Sequence, residues 1–285
     1  MDVETFYYVV TLVIFAVVGL CVGSFLNVVI YRLPLGMNLA TPPSHCPSCD
    51  HQLAWYDNIP LFSWLFLRGK CRYCGASVTP RYFLVELITA LLWLGCADTF
   101  YGDGGALNIA HIAVCCLAVS ALICMALIDA EHTFIPDSLQ ITLLLLGMVA
   151  VFTGGMENYA EKLYGFIVGG GFFLVIYLLC FPLFGREGLG FGDVKLMACV
   201  GLFLGWQKVI LTVIIGVVYA AIDILLSKAV FALQGGKLQE MLPLDERPAP
   251  DEHPFAPYLV TGAIIALFFG ERIIEWYLGL FSLGF

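Results

Sequence analysis

The chain has 285 residues, 61% of them hydrophobic and only 12% charged, with a mean hydropathy of +0.93. That balance is too apolar for a water-soluble domain and places the chain among polytopic membrane proteins. The net charge of −9, without any basic stripe, argues against a nucleic-acid partner.

The start, MDVETFYYVV, is acidic and lacks the basic segment of a cleavable signal peptide. The first apolar run is long enough to span a bilayer, so residues 1–31 read as a retained transmembrane helix. Apolar runs follow at roughly 83–100, 108–128, 138–153, 162–184, 194–206, 208–230 and 256–280. The expectation is an all-α polytopic membrane protein of about eight transmembrane helices, the sixth of them short. Residues 32–82 form a compact hydrophilic insertion, and 83–285 a membrane core interrupted by a Pro-rich, acidic loop at 231–255. No internal repeat is visible.

Orientation follows from Lys and Arg. With the N-terminus outside, the inner loops hold Arg32, Arg68, Lys70, Arg72, Arg81, Arg186, Lys195, Lys228, Lys237 and Arg247. Only Lys162, Lys208 and Arg272 remain outside, as the positive-inside rule requires. Both hydrophilic stretches then face the cytoplasm.

Seven of the 11 cysteines lie in apolar runs and read as small buried hydrophobes. The other four, Cys46-Pro-Ser-Cys49 and Cys71-Arg-Tyr-Cys74, make two C-x2-C pairs separated by 21 residues. Two residues between thiols let one turn offer both sulfurs to one ion. Paired pairs at this separation read as a closed, structural four-cysteine zinc site. Disulfides are the competing reading, disfavoured by a reducing cytoplasm. His45 and His51 flank the first pair and read as surface residues. Trp55, Tyr56 and Trp64 read as packing around the metal loop.

Carboxylates in apolar segments are costly and mark function. Asp129 closes the run AVCCLAVSALICMALID, at a helix C-terminus where the macrodipole disfavours an anion. Asp193 lies in GLGFGDVK, behind Gly188, Gly190 and Gly192. Glycines there serve either a plain turn or a close backbone approach that aims the carboxylate into a cavity. Asp137, after Pro136, reads as a helix N-cap. Glu131 and His132 read as solvated loop residues. Asp223, in an unbroken helix, reads as a polar contact between helices. By the Lys/Arg count, Asp129 and Asp193 lie near the same, cytoplasmic face. Two neighbouring carboxylates sharing a proton can hydrolyse a peptide bond.

Taken together, GSFLNVVIYRLP (23–34), the cysteine segment 45–76, RYFLVELITA (81–90), IDAEHTFIPD (128–137) and GLGFGDVKL (188–196) resemble the prepilin peptidases. These are bifunctional leader peptidases and N-methyltransferases of the GxGD class of membrane aspartyl proteases, and Gly190-Phe191-Gly192-Asp193 fits that pattern. The resemblance covers about residues 19–205. It implies Asp129 and Asp193 as the catalytic pair, and Cys46, Cys49, Cys71 and Cys74 as the four-cysteine loop. It further implies cleavage of prepilin or pseudopilin leaders at the cytoplasmic face of a bacterial inner membrane. Methylation of the new N-terminus by S-adenosylmethionine would follow. Glu86, Arg81 and the stretch YDNIP (56–60) enter as methyltransferase candidates through their place in the family pattern alone. No Rossmann-type glycine loop occurs between 32 and 82. The rival readings are a polytopic transporter with a cytoplasmic zinc module, and a non-enzymatic receptor whose zinc loop docks a partner.

Overall fold

The computed structural model describes residues 2–102, 104–154, 159–184, 189–233 and 254–282. The helices are α1 (Val3–Arg32), α2 (Phe62–Phe66), α3 (Pro80–Phe100), α4 (Ala106–His132), α5 (Asp137–Thr153), α6 (Tyr159–Phe184), α7 (Phe191–Leu204), α8 (Trp206–Leu233) and α9 (Ala256–Ser282), with a 3-10 turn at Trp55–Asn58. No sheet forms among the described residues; two isolated β-bridges occur in the cysteine loop.

Six helices (α1, α3, α4, α6, α8 and α9) are long and apolar enough to cross a bilayer. With the shorter apolar helices α5 and α7, they make up the eight expected. At 17 and 14 residues α5 and α7 extend about 25 and 21 Å, short of a hydrocarbon core of about 30 Å. The loop expected at 231–255 lies mostly outside the described residues, as do Arg186, Gly188, Lys237 and Arg247.

The chain divides into two compact units. The first comprises Met1–Cys124 and Ile141–Asn158. Helix α1 starts at a true cap, the Asp2 side chain accepting from the Thr5 N–H at 3.0 Å. It buries Phe15, Gly19, Gly23, Leu26 and Ile30, a stripe recurring every three or four residues. Added methyl groups at Gly19 and Gly23 would stand 2.8 Å from Trp93 Cβ and Glu86 Cα, so these glycines set the close approach of α3. Trp93 Nε1 donates to Ser120 Oγ of α4 at 2.9 Å, satisfying a buried donor.

The second unit comprises Met125–Gln140 and Tyr159–Phe285. Here α6 lies backbone to backbone on α7. A Cβ on Gly201 would sit 2.0 Å from the Gly165 carbonyl oxygen, and one on Gly169 2.4 Å from that of Met197. Such contacts replace the missing hydrophobic drive between helices in lipid. Leu196, Met197, Val209 and Leu259 fill the interior.

Candidate functional site

Helix α4 continues one turn beyond the predicted boundary, to His132, so Asp129 is held in its last helical turn. Helix α7 begins at Phe191, with extended Gly190 as its cap residue. Asp193 therefore sits in the first turn of α7, its N–H donating to the Gly190 carbonyl at 3.1 Å. Both carboxylates belong to the second unit and are buried, Asp129 6% and Asp193 8% exposed.

Asp129 Oδ2 accepts the backbone N–H of Ala256 at 3.0 Å. Ala256 opens α9, so the positive end of that helix offsets the unfavourable end of α4. Asp193 Oδ1 is buried and has no hydrogen-bond partner among the described residues. A buried acceptor left unsatisfied costs free energy and marks a place where an external donor is welcome.

The glycines before Asp193 have defined roles. A Cβ on Gly190 would lie 3.3 Å from Asp193 Oδ2, and one on Gly192 3.4 Å from Ile135. Gln140 of α5, which the sequence reading did not single out, donates through Nε2 to the Gly192 carbonyl at 3.0 Å. Its Oε1 is also buried without a partner among the described residues, so two free acceptors border this turn. Gln140 carries no motif signal, and its position one turn after Asp137 was the only available hint.

The other carboxylates separate from the pair. Asp137 is not the N-cap: Pro136 offers the capping carbonyl to the Leu139 and Gln140 N–H groups, and Asp137 is the first helical residue. Its exposed side chain pairs with Lys195 at 2.7 Å. Asp223 accepts from the Tyr258 hydroxyl at 2.7 Å, the expected contact between helices α8 and α9. Glu131 is exposed, and His132 ends α4 rather than lying in a loop.

The four loop cysteines converge. Their Sγ atoms lie within 4.8 Å of one another, with Cys46 and Cys74 3.9 Å apart. A tetrahedral thiolate site with metal–sulfur bonds of about 2.3 Å has edges of about 3.8 Å, so the set fits a metal ion. The Ser48 N–H pulls the Cys46 thiol down to about 7. At Cys49 the His51 N–H favours the thiolate, but burial and the neighbouring Cys74 and Cys46 outweigh it and push the thiol up to about 12. Four crowded thiols cannot all ionise unless a cation holds them. His45 and His51 lie outside this cluster, His51 stacking on Tyr73 at 3.7 Å.

The two C-x2-C pairs sit on matching backbone turns. The Cys46 N–H donates to the His51 carbonyl and the Asp50 N–H to that of Cys46. Residues 71, 76 and 75 repeat this pattern, offset by 25 residues. Asp50 and Gly75 hold the equivalent positive φ, 55° and 72°. The two backbone turns carry the two C-x2-C pairs that the sequence shows at the same offset.

Asp57 knits the loop together. Its side chain, 3% exposed, takes Arg72 Nε at 2.7 Å, the Tyr73 hydroxyl at 3.1 Å and the Ala54 N–H at 3.3 Å. Burial alone would raise this carboxyl, but these donors hold it below the usual carboxylate range. Glu86, buried on α3, accepts the Leu61 N–H at 2.7 Å, and Leu61 has a positive φ of 59°. Trp64 packs as expected, donating to the Val78 carbonyl and stacking near Phe83, whereas Trp55 is 79% exposed and does not.

Comparison with known proteins agrees with these features. Residues 17–100 match the family model of the Bacterial Peptidase A24 N-terminal domain, and residues 116–225 that of the Type IV leader peptidase family. The chain is 38% identical to a prepilin leader peptidase/N-methyltransferase of Stutzerimonas stutzeri, over 92% of each chain. Proteins of the same name from Aeromonas hydrophila and Pseudomonas aeruginosa are 36% and 37% identical, over 91% of each chain. No solved structure matches the chain.

Proposed function

We propose, since the chain belongs to the Type IV leader peptidase family, that Asp129 and Asp193 are the catalytic pair of its endopeptidase activity. Relatives are named prepilin leader peptidase/N-methyltransferase; this chain is read as removing leaders from prepilins and, in a second activity, methylating the N-terminus so exposed. The carrying observation is the burial of two carboxylates in one compact unit, Asp193 keeping an oxygen without a partner among the described residues.

Two carboxylates brought to one water cannot both ionise comfortably, so they share one proton. The ionised member takes a proton from water as it attacks the scissile carbonyl. The protonated member gives its proton to the carbonyl oxygen, forming a gem-diol; as the C–N bond breaks, the member that took water's proton passes it to the leaving amine and the gem-diol returns one to its partner. The pair titrates as a unit, so neither residue is assigned alone as base. The Ala256 N–H on Asp129 and the Gln140–Gly192 contact hold the two helix ends in place during this exchange. Nothing in the site favours the transporter reading.

Residues 32–82 are read as a zinc-binding domain associated with methyl transfer, and 83–285 as the peptidase core. The closed four-cysteine set suits Zn2+ in a structural role, adding folding energy to a loop with little core. The described residues do not single out a holder for S-adenosylmethionine. Glu86 is engaged by the Leu61 N–H and Ser24, and Asp57 by Arg72 and Tyr73. The Lys/Arg distribution supports an outside N-terminus, with the cysteine loop and aspartates toward the cytoplasm of a bacterial inner membrane.

The test is incubation of the purified protein with a synthetic prepilin, followed by mass spectrometry of the product N-terminus. Leader loss tests the peptidase, and an added methyl tests the second activity. An intact prepilin after prolonged incubation would overturn the reading.

A further inference from the structure

Between the two cysteine pairs, residues 55–66 display an apolar face that the loop does not bury. Trp55, Tyr56, Ile59, Phe62, Leu65 and Phe66 are all exposed, Phe66 by 82%. Phe62 and Phe66 stack one helical turn apart, with ring centroids at 6.5 Å, and form one side of α2. The segment has one charged residue, Asp57, whose carboxylate is turned inward onto Arg72. Exposed Arg68 and Lys70 follow directly.

This face is fastened to the start of a membrane helix. The Leu61 N–H bonds to Glu86, on the second turn of α3. Trp64 lies 5.2 Å from Phe83, on its first turn. The outer surfaces of α1 and α3 there are themselves apolar and exposed at Tyr31, Tyr82 and Leu84. The patch is therefore continuous with the lipid-facing surface of two membrane spans, at the level where one ends and the other begins. Aromatic residues favour that level, where an apolar ring meets water and headgroups, and neighbouring cations suit anionic lipids.

We propose that residues 55–66 are an interfacial anchor that seats in the headgroup region of the bilayer and holds the metal loop down on the membrane surface. The occupant of the patch is lipid. A free-standing loop would otherwise carry an aromatic face into water with no compensating contact. The inference rests on the membrane reading of α1 and α3 and is independent of the assignment of Asp129 and Asp193.

The test uses the full chain carrying 5-fluorotryptophan, in nanodiscs containing anionic lipid, with the Trp55 19F signal assigned from Trp55→Phe. Broadening by a nitroxide on the lipid is compared with broadening by an aqueous gadolinium chelate. The expected result is a Trp55 signal broadened several-fold more by the lipid-borne probe. Phe66→Asp is expected to reverse that preference. A signal broadened only by the chelate overturns the proposal. A signal shielded from both probes also overturns it, because a protein would then cover the patch. If Trp55→Phe fails to fold, single Phe replacements of the other tryptophans assign Trp55 by elimination.

Discussion

Asp129 Oδ2 accepts the backbone N–H of Ala256 at 3.0 Å, across 127 residues of sequence. A carboxylate at the unfavourable end of α4 is thereby held by the favourable end of α9. This contact explains how a buried acidic side chain is tolerated there.

Gln140 is expected to matter through Gly192. Replacing it with Leu removes its hydrogen bond to the partly buried Gly192 carbonyl, at a cost of about 0.5–1.5 kcal/mol. If that cost falls on the arrangement of Asp193, kcat for leader cleavage falls about ten-fold with little change in KM. Steady-state kinetics on a synthetic prepilin check this. An unchanged kcat would remove Gln140 from the site.

Gly201→Ala is expected to destabilise the second unit, because the new Cβ would meet the Gly165 carbonyl at 2.0 Å. Overpacking costs about 1–3 kcal/mol, and here the obstacle is backbone on both sides. A thermal melt in detergent should show a loss of several degrees. Gly171→Ala, with open space around its Cβ position, should show almost none.

The two halves of the cysteine loop share one backbone pattern, so Cys46→Ser and Cys71→Ser should behave alike. Each should abolish bound metal, measured by elemental analysis, and sensitise residues 36–78 to protease. Chelation of the wild-type protein should do the same. Retained metal in either variant would contradict a shared four-thiolate site.

The Asp57 carboxyl is held below its ordinary value, so its contribution to the loop carries a definite sign. It is fully present above the unfolded carboxylate range, about 4, and is lost as pH falls through the lower folded value. Near-neutral titration should leave the loop unchanged. Acidification below about 4 should release Arg72 and loosen the loop, read as faster amide exchange at residues 54–57. Asp57→Asn should remove that acid dependence.

The fold was legible to the extent that apolar runs are. Eight apolar helices were located, six of them long, because an extended run of apolar residues leaves few alternatives. Their ends were less legible. Asp129 and Asp193 each proved to lie inside a helical turn, since a helix end is set by capping contacts such as Gly190 rather than by hydropathy. The metal cluster was readable from spacing, because its ligands are local. Ala256 and Gln140 were not, because their contacts to the aspartate turns are tertiary and their residue types carry no signal. Trp55 was misread as packing because nothing in the sequence separates an aromatic that faces a core from one that faces lipid.

The central claim is that Asp129 and Asp193 act as one unit. The direct measurement is a kinetic cycle on a synthetic prepilin with Asp129→Asn, Asp193→Asn and the double variant, with folding verified by melting temperature. Each single change should lower kcat by about 10³-fold or more, and the double change should cost little beyond either. Robust cleavage by either single variant, or losses that simply multiply in the double, would contradict a shared catalytic pair.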